Sequence, residues 1–396
     1  MTGNSAWNQR GDGVLMNTYG RLPVTMVRGS GCLLYDADGR EYLDFVAGIA
    51  VCNLGHCHPA VTAAIREQAG QLVHVSNLYH TTPQIELAET LCAHSFAERV
   101  FFCNSGAEAN EAAIKLARKA SPAGKYEIIS LTGSFHGRTL ATVAATGQSK
   151  FHEGFEPLPQ GFVHAPFGDI AALESLIGPA TCAVLCEPLQ GEGGVRPLAQ
   201  EYLRAIRELC DRHNLLLIFD EVQVGMGRTG TLLAHEQLGV VPDMLTLAKG
   251  LGNGLPIGAL LARDALAAAF TPGSHASTFG GNPVACRAAG AVLQTMLAPD
   301  FLPMVRARGR YLAARLGELA ARFPAKAAEV RGMGLIQGLV LREEFRAEGP
   351  AIVRQLFEQG LLLNFAGNTA LRFLPPLVVS EEEIDRAVAL VADALA

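Results

Sequence analysis

The chain has 396 residues, 49% of them hydrophobic, and its 32 basic against 38 acidic side chains give a net charge of −6. This length predicts two or three structural units with a sizeable core, and the slightly acidic balance argues against nucleic acid or an anionic membrane as a partner. The polar N-terminus lacks a signal-peptide pattern, and no stretch approaches the roughly 20 apolar residues of a membrane helix, so we expect a cytoplasmic protein.

The nine cysteines are scattered singly, without C-x-x-C pairs or zinc-ligand spacing, and are predicted to be reduced and mostly buried. His56 and His58 flank Cys57 and project on one side of an extended segment, but no third ligand lies nearby in the sequence. We predict no metal site.

The first 100 residues contain short elements. Apolar stretches between turn residues predict strands and hairpins over 14–50, and Pro59 opens a predicted helix that runs to Gly70. A second helix is predicted near 86–93, and a short strand covers 100–102.

The strand at 100–102 leads into Ser105, Gly106 and Ala107, and a helix is predicted from there to Ala120. A tight turn at a helix N-terminus binds anions well, because free N–H groups and the positive end of the helix dipole face the ligand. Alternatively, Ser105 only caps the helix, with Glu108 completing a capping box. The two roles are compatible.

Strands are also predicted at 126–132 and 182–186, and a helix at 200–213. Strand and helix alternate from about 98 to 260, which predicts a mainly parallel sheet. After the first of these strands, Phe135 is a candidate to stack on a ring and Arg138 to bind a carboxylate.

Two further apolar runs, 215–219 and 244–248, end at Asp220 and Lys249. Ligands of open α/β sheets bind beyond the carboxyl ends of the strands. A lysine placed there can have a lowered pKa and act as a nucleophile, and an acid can keep a pyridine nitrogen protonated, as pyridoxal phosphate (PLP) requires. The alternative is a solvated turn acid and a surface lysine.

A dinucleotide-binding dehydrogenase is the main rival, since residues 225–230 match G-x-G-x-x-G. That fingerprint should follow its strand directly and open a helix, whereas here Asp220 and Glu221 intervene. A non-catalytic binding protein on the same fold would be expected to lack Lys249 or Asp220.

From about residue 290 the pattern changes to an α+β unit. Helices are predicted at 301–322, 350–359 and 381–396, and strands follow Gly334 and cover 361–365 and 371–374. A glycine-rich turn at 277–283 precedes a helix that begins at Val284.

The segments DEVQVGMGRTG, AKGLGNGLPIG, SGAEANE and GSFHGRT resemble those of the class III (ω-amino acid) aminotransferases, and the likeness extends from Tyr19 to the terminal helix. It implies an α/β PLP-dependent transferase of fold type I. The implied large PLP-binding domain covers 51–290, with a small α+β domain at 291–396 and an N-terminal segment, 1–50, packed against the small domain.

The resemblance also implies roles for single residues. Lys249 would bind PLP covalently and then move a proton, and Asp220 would pair with the ring nitrogen. Further implied cofactor contacts are Gln223 at the ring hydroxyl, Phe135 on the ring face, and Ser105, Gly106, Ala107 and Thr278 at the phosphate. Thr278 would come from the partner subunit of a homodimer, and Ser277 would touch substrate.

Within the family, the segments RLPVT and GIAVCNLGHCHP are most similar to members that act on N2-acetyl-L-ornithine and 2-oxoglutarate in arginine biosynthesis, although Cys52 departs from the usual pattern. Ornithine, succinylornithine, succinyl-diaminopimelate and 4-aminobutyrate stay open as substrates. Tyr19 and Arg138 would bind the distal carboxylate of each substrate. Arg372 would bind the α-carboxylate of glutamate, and Glu192 would neutralise that buried charge when this carboxylate is absent.

Overall fold

The computed structural model describes residues 3–396, so the first two residues of the predicted N-terminal segment lie outside the described part. Its strands, numbered in chain order, are β1 (Met26–Ser30), β2 (Leu33–Asp36), β3 (Glu41–Asp44), β4 (Arg99–Cys103), β5 (Glu127–Leu131), β6 (Phe162–Ala165), β7 (Thr181–Cys186), β8 (Leu189–Gln190), β9 (Arg196–Pro197), β10 (Leu216–Asp220), β11 (Met244–Leu247), β12 (Gly258–Ala262), β13 (Ala327–Met333), β14 (Ile336–Leu341), β15 (Leu361–Leu362), β16 (Asn364–Ala366) and β17 (Ala370–Phe373).

The longer helices are Asn4–Asp12, Pro59–Ala69, Thr82–Ala93, Gly106–Ala120, Gln200–His213, Pro283–Met296, Phe301–Arg322, Gly349–Glu358 and Glu381–Leu395. Shorter helical segments are Ala47–Ala50, Leu140–Ala145, Ile170–Ser175, His235–Leu238 and Asp264–Ala267. The first of these short segments is irregular, because Gly48 and Ile49 have positive φ within it.

A seven-stranded sheet in the order β4-β12-β11-β10-β7-β5-β6 forms the centre of the molecule. Successive side chains of its central strands point to opposite faces. Leu217 and Phe219 pack with Leu203 and Ile206 of one helix, whereas Ile218 packs in a separate core cluster on the other face. Helices cover both faces, which explains why these strands are continuous apolar runs.

The sheet is mainly parallel, as the sequence predicts, with one exception. β12 pairs antiparallel with both β11 and β4. A parallel crossover needs a dozen or more residues, usually including a helix, and the connection from β11 to β12 is shorter than that. Lys249 lies in this connection.

The two ends of the chain meet in a smaller sheet, β1-β2-β3-β15, in which Leu361 of β15 pairs with Leu43 of β3. A third sheet, β13-β14-β17-β16, comes entirely from the C-terminal part, and β8 and β9 form a short hairpin. The pairing of β15 with β3 is consistent with an N-terminal segment that packs on the C-terminal unit. The domain boundaries themselves stay a prediction.

Arg228 joins three distant segments although it is completely buried. Its Nη1 donates to the carbonyl oxygens of Leu335 (3.0 Å) and Pro375 (2.5 Å), and its Nη2 donates to Asn53 Oδ1 (2.6 Å). Burial lowers the pKa of this guanidinium to about 9. Three hydrogen bonds to neutral oxygen acceptors offset part of the cost of burying this cation.

Several elements were not predicted from the sequence, among them an N-terminal helix and strand β13. The helix Asn4–Asp12 is mostly polar and has no buried residue, so it gives no periodic apolar pattern. Strand β13 pairs with β14, but buried and exposed residues do not alternate along it, and Glu329 within it is exposed. The strand therefore forms because it pairs with β14, and not because its own sequence has a strand pattern.

Within residues 3–396, no single helix is long and apolar enough to cross a membrane. One bent pair, Pro283–Met296 with Phe301–Arg322, passes by length and composition alone. The same part of the chain contains no group of three His, Cys, Asp or Glu side chains that could hold a metal ion.

Candidate active site

A cavity of about 390 Å³ opens at the carboxyl edge of the large sheet. The residues that follow β4, β5, β7, β10 and β11 all contribute to its wall, since the carboxyl ends of these strands lie at the same edge. Predicted site residues in the lining are Ser105, Gly106, Ala107, Phe135, Arg138, Asp220, Gln223 and Lys249.

One end of the cavity is formed by the turn before the helix Gly106–Ala120. Ser105 caps this helix by accepting the N–H of Glu108 (3.2 Å). The predicted capping box is wrong in one detail, because the Glu108 carboxylate accepts the N–H of Asn104 (2.8 Å) rather than that of Ser105. The first N–H groups of the helix have no partner within it, so they can bind an anion in the cavity.

Gly106 is required by close packing behind this turn. A Cβ at this position would lie 2.6 Å from Cγ1 of Val222. Val222 follows directly after Asp220 and Glu221, so the absence of a side chain at Gly106 lets the turn at residues 105–107 approach the end of β10.

Asp220 lies deep in the cavity wall and is 4% exposed. Its Oδ2 accepts hydrogen bonds from Asn110 Nδ2 (2.7 Å) and lies 2.8 Å from His136 Nδ1, while its Oδ1 accepts the N–H of Val222 (3.0 Å). Thr246 Oγ1 in turn donates to Asn110 Oδ1 (2.7 Å). This network fixes the position of the carboxylate and gives both of its buried oxygens hydrogen-bond partners.

Lys249 lies in the cavity wall, and its backbone adopts a positive φ of 44°. Burial lowers the pKa of its ammonium, and the carboxylates of Glu192 and Asp220 oppose this shift without cancelling it. The amine is therefore easier to deprotonate than a solvent-exposed lysine and is a better nucleophile.

Glu187 also lines the cavity, and the sequence reasoning assigned it no role. Glu187 comes directly after β7, and Asp220 is the last residue of β10. Both acids thus lie at the carboxyl end of a buried strand, and this position is the sequence signal that could have identified Glu187. Its Oε2 accepts the N–H of Phe135 (3.0 Å). Burial, and then the nearby Asp220 carboxylate, raise the pKa of the Glu187 carboxyl well above its usual range, which favours its neutral form.

Arg372 and Glu192 form an ion pair next to the cavity. Arg372 is 2% exposed, and its Nη1 lies 2.7 Å from Glu192 Oε1. Burial alone would raise the pKa of the Glu192 carboxyl, but Arg372 lowers it overall. Gln223 accepts a hydrogen bond from Arg372 Nη1 (3.2 Å) and donates to Glu192 Oε1 (3.4 Å), so it links the pair to the cavity wall.

Phe135 and Arg138 lie together at one side of the cavity. The Arg138 guanidinium lies 5.4 Å from the centre of the Phe135 ring and 4.3 Å from that of Phe151. The aromatic rings hold this exposed cation at the cavity mouth, where it can meet an anionic substrate group.

Five predicted site residues do not line this cavity in the single chain: Glu192 and Arg372, which form the ion pair beside it, and Tyr19, Ser277 and Thr278. Tyr19 is 70% exposed. Ser277 and Thr278 line a second, larger cavity, although Ser277 Oγ accepts a hydrogen bond from Asn104 (3.2 Å), which lines the first. The roles given to these five residues stay predictions.

The residues present fit PLP on structural grounds. A helix N-terminus that can bind a phosphate lies at one end of the cavity, and a buried, hydrogen-bonded carboxylate, Asp220, lies in its wall. Lys249 and Phe135 complete the same cavity. These are the anion site, the ring-nitrogen partner, the amine and the aromatic surface that the cofactor needs.

Comparisons with known proteins identify the family of this chain. The family model for class III aminotransferases matches residues 15–395. An acetylornithine aminotransferase from Gloeobacter violaceus is 55% identical over 394 residues, which cover 98% of this chain and 96% of that protein. An acetylornithine aminotransferase from Myxococcus xanthus is 51% identical over 376 residues, or 94% and 93% of the two chains.

Solved structures give the same result. The ornithine aminotransferase of Toxoplasma gondii matches with a TM-score of 0.94 and 32% identity, covering 100% of this chain and 95% of that one. The N-acetylornithine aminotransferase of Stenotrophomonas maltophilia matches with a TM-score of 0.84 and 40% identity, covering 98% and 97%.

The chain belongs to the class III aminotransferases. Its α/β fold is that of the PLP-dependent aminotransferases, and the family and its structural neighbours imply PLP as the cofactor.

Proposed function

We propose that the protein transfers the terminal amine of N2-acetyl-L-ornithine to 2-oxoglutarate, giving N-acetyl-L-glutamate 5-semialdehyde and L-glutamate in arginine biosynthesis. Relatives of that name at 50–55% identity support this reaction. The structural observation that carries it is the Glu192–Arg372 ion pair beside the cavity, because this reaction needs a cation that is used by only one of two substrates.

PLP, when bound, supplies an electron-withdrawing ring that stabilises negative charge on the substrate carbon. Lys249 would hold the cofactor through a covalent bond at Nζ and, once released, carry the proton to and from the reacting carbon. Asp220 would keep the ring nitrogen protonated, and His136 and Asn110 hold its carboxylate in place. The first turn of the helix Gly106–Ala120 would bind the phosphate.

The two substrates place different groups beside the reacting carbon. Glutamate has an α-carboxylate there, which Arg372 would bind. The terminal carbon of acetylornithine has none, so Arg372 would be an unpaired buried charge unless Glu192 neutralises it. Arg138 and Tyr19 would bind the carboxylate at the far end of either substrate.

A homodimer would complete the site. Thr278 lines a cavity outside the first one, together with Leu78, which is 81% exposed in the single chain. Tyr79 and Phe279 are also exposed apolar side chains near this surface. Such exposed apolar groups favour coverage by a second copy, whose active site Thr278 would then reach.

A cytoplasmic location also stays a prediction.

The test is a panel of amine donors assayed with 2-oxoglutarate and the PLP-loaded enzyme. We expect acetylornithine to give the highest kcat/KM, ahead of ornithine, succinylornithine, succinyl-diaminopimelate and 4-aminobutyrate. Faster turnover of free ornithine or 4-aminobutyrate would instead assign the protein to one of those activities within the same family.

A further inference from the structure

Arg372 has a third partner besides Glu192 and Gln223. Its Nε donates to Asn364 Oδ1 at 3.1 Å. Asn364 lies in β16 directly opposite Arg372 in β17, so the contact is a cross-strand side-chain pair. This asparagine has no assigned role in the proposed function.

The partners of Arg372 differ in how they are held. Glu192 lies in the glycine-rich loop between β8 and β9, and its side chain is 29% exposed. Asn364 instead belongs to a strand that pairs with β17, and β17 also pairs with β14 on its other side. The ion pair can therefore open while the contact with Asn364 remains.

The charges of the two partners also differ. Glu192 cancels the charge of Arg372, which suits a substrate without a carboxylate at that point. Asn364 accepts a hydrogen bond but leaves the positive charge intact, so an incoming carboxylate still meets a full cation. A carboxylate at this position would neutralise Arg372 permanently.

We propose that Asn364 is a positioning residue that keeps the Arg372 guanidinium aimed at the cavity when Glu192 moves away. It therefore acts in the half-reaction of substrates with an α-carboxylate, glutamate and 2-oxoglutarate, and has little effect on terminal-amine donors. This inference rests on the proposed function for the identity of the two substrates.

The test separates the two half-reactions by following the cofactor absorbance after single additions of glutamate or acetylornithine. Asn364→Asp should slow the glutamate half-reaction about tenfold to hundredfold, because it pairs Arg372 with a fixed carboxylate, and should change the acetylornithine half-reaction no more than about threefold. Asn364→Ala should raise the glutamate concentration needed for half-saturation about tenfold, with a smaller effect on the maximal rate. The matched control is Asn368→Asp, the same change at an exposed turn residue of the same hairpin, with φ of 51°.

A double variant gives a readout that a merely structural role would not produce. Glu192→Gln alone should slow the acetylornithine half-reaction, and adding Asn364→Asp should restore it, because the new carboxylate replaces the lost one next to Arg372. The glutamate half-reaction should stay slow in this double variant.

Equal slowing of both half-reactions by Asn364→Asp, or no slowing beyond that of Asn368→Asp, would overturn the inference. A different result would contradict the proposed function, namely a wild-type enzyme that does not accept acetylornithine. The comparison is then made between glutamate and whichever terminal-amine donor the enzyme does accept. A wild-type enzyme that does not react with glutamate overturns both.

Discussion

Glu192 Oε1 and Arg372 Nη1 lie 2.7 Å apart, and the arginine of this pair is almost completely buried whereas the glutamate is partly exposed. Arg372 is thus held in place, whereas Glu192, its partner of opposite charge, is accessible to solvent. The proposed function requires that an anionic substrate group replace Glu192 without moving Arg372, and this difference in exposure would allow it.

Removing the charge of Glu192 should affect the two half-reactions unequally. In Glu192→Gln we expect the acetylornithine half-reaction to slow about tenfold to hundredfold, because Arg372 is left uncompensated, and the glutamate half-reaction to change little. Single-turnover absorbance measures both. Glu174→Gln, which alters an exposed pair with Arg212, is the control. If Glu192→Gln slowed neither half-reaction relative to the wild-type enzyme, the proposed neutralisation of Arg372 by Glu192 would be excluded.

Replacing Lys249 should abolish covalent cofactor binding. Lys249→Arg keeps a positive charge but has no amine that can react with the PLP aldehyde, so we expect activity to fall by about 10⁴-fold or more. Borohydride reduction followed by mass spectrometry of the peptide measures the bond directly. Lys119→Ala, at an exposed helix end, should leave the labelled peptide unchanged. A label on any other lysine would refute the assignment.

A side chain at Gly106 should displace the turn at residues 105–107, for which we propose phosphate binding. Gly106→Ala places a Cβ 2.6 Å from Val222, so we expect the free energy of unfolding to fall by about 1–3 kcal/mol and PLP to bind more weakly. Adding Val222→Ala should restore both in part, as denaturant unfolding and PLP titration can measure. Gly290→Ala is the control, because nothing lies within 4 Å of its added Cβ. Full PLP affinity in Gly106→Ala would contradict the packing argument.

The His56–Asp44 pair should make stability depend on pH. Burial opposes protonation of His56, but the hydrogen bond to Asp44 at 2.7 Å and the nearby Cys52 raise its pKa to about 10. Because the folded pKa exceeds the unfolded value of about 6.5, the stabilisation is complete below that value and is lost as pH rises towards 10.

His56→Asn should therefore lower the free energy of unfolding by about 2–4 kcal/mol at pH 6 and by much less near pH 10. Urea unfolding at several pH values measures this difference, with the exposed His94→Asn as the control. A destabilisation that does not vary with pH would show that His56 contributes by packing alone.

Subunit complementation tests the role of Thr278. If Thr278 serves the neighbouring active site, a Lys249→Arg chain mixed with a Thr278→Ala chain forms one site with both native residues. We expect activity to reappear after subunit exchange, above the level of either variant alone, together with a dimer mass in light scattering. Two variants that stay as inactive together as apart would place Thr278 outside the partner's site.

The sequence predicts the large sheet well, because strands buried on both faces are continuous apolar runs that end in polar or glycine residues. Asp220 and Lys249 follow two such runs, so their meeting at one edge is predictable from the rule for parallel strands. The direction of β12 was not predicted, since it depends on the length and path of the connection that contains Lys249.

The supporting residues are harder to find from sequence. Glu187, His136 and Asn110 lie close in the chain to predicted site residues, but their partners are distant, and Asn110 reaches Asp220 across 110 positions. Asn364 becomes visible only when the register of β16 against β17 is known. Tyr19 and Thr278 lie outside the cavity of the single chain, so intramolecular geometry cannot position them.

Arg228 has a consequence for how the enzyme loses function. Its guanidinium ties together Asn53, Leu335 in the turn between β13 and β14, and Pro375, three residues after Arg372. Asn53 in turn packs against Gly250, the residue after Lys249. Loss of the Arg228 contacts should therefore weaken the binding of substrate, which we propose for Arg372, together with the binding of the cofactor.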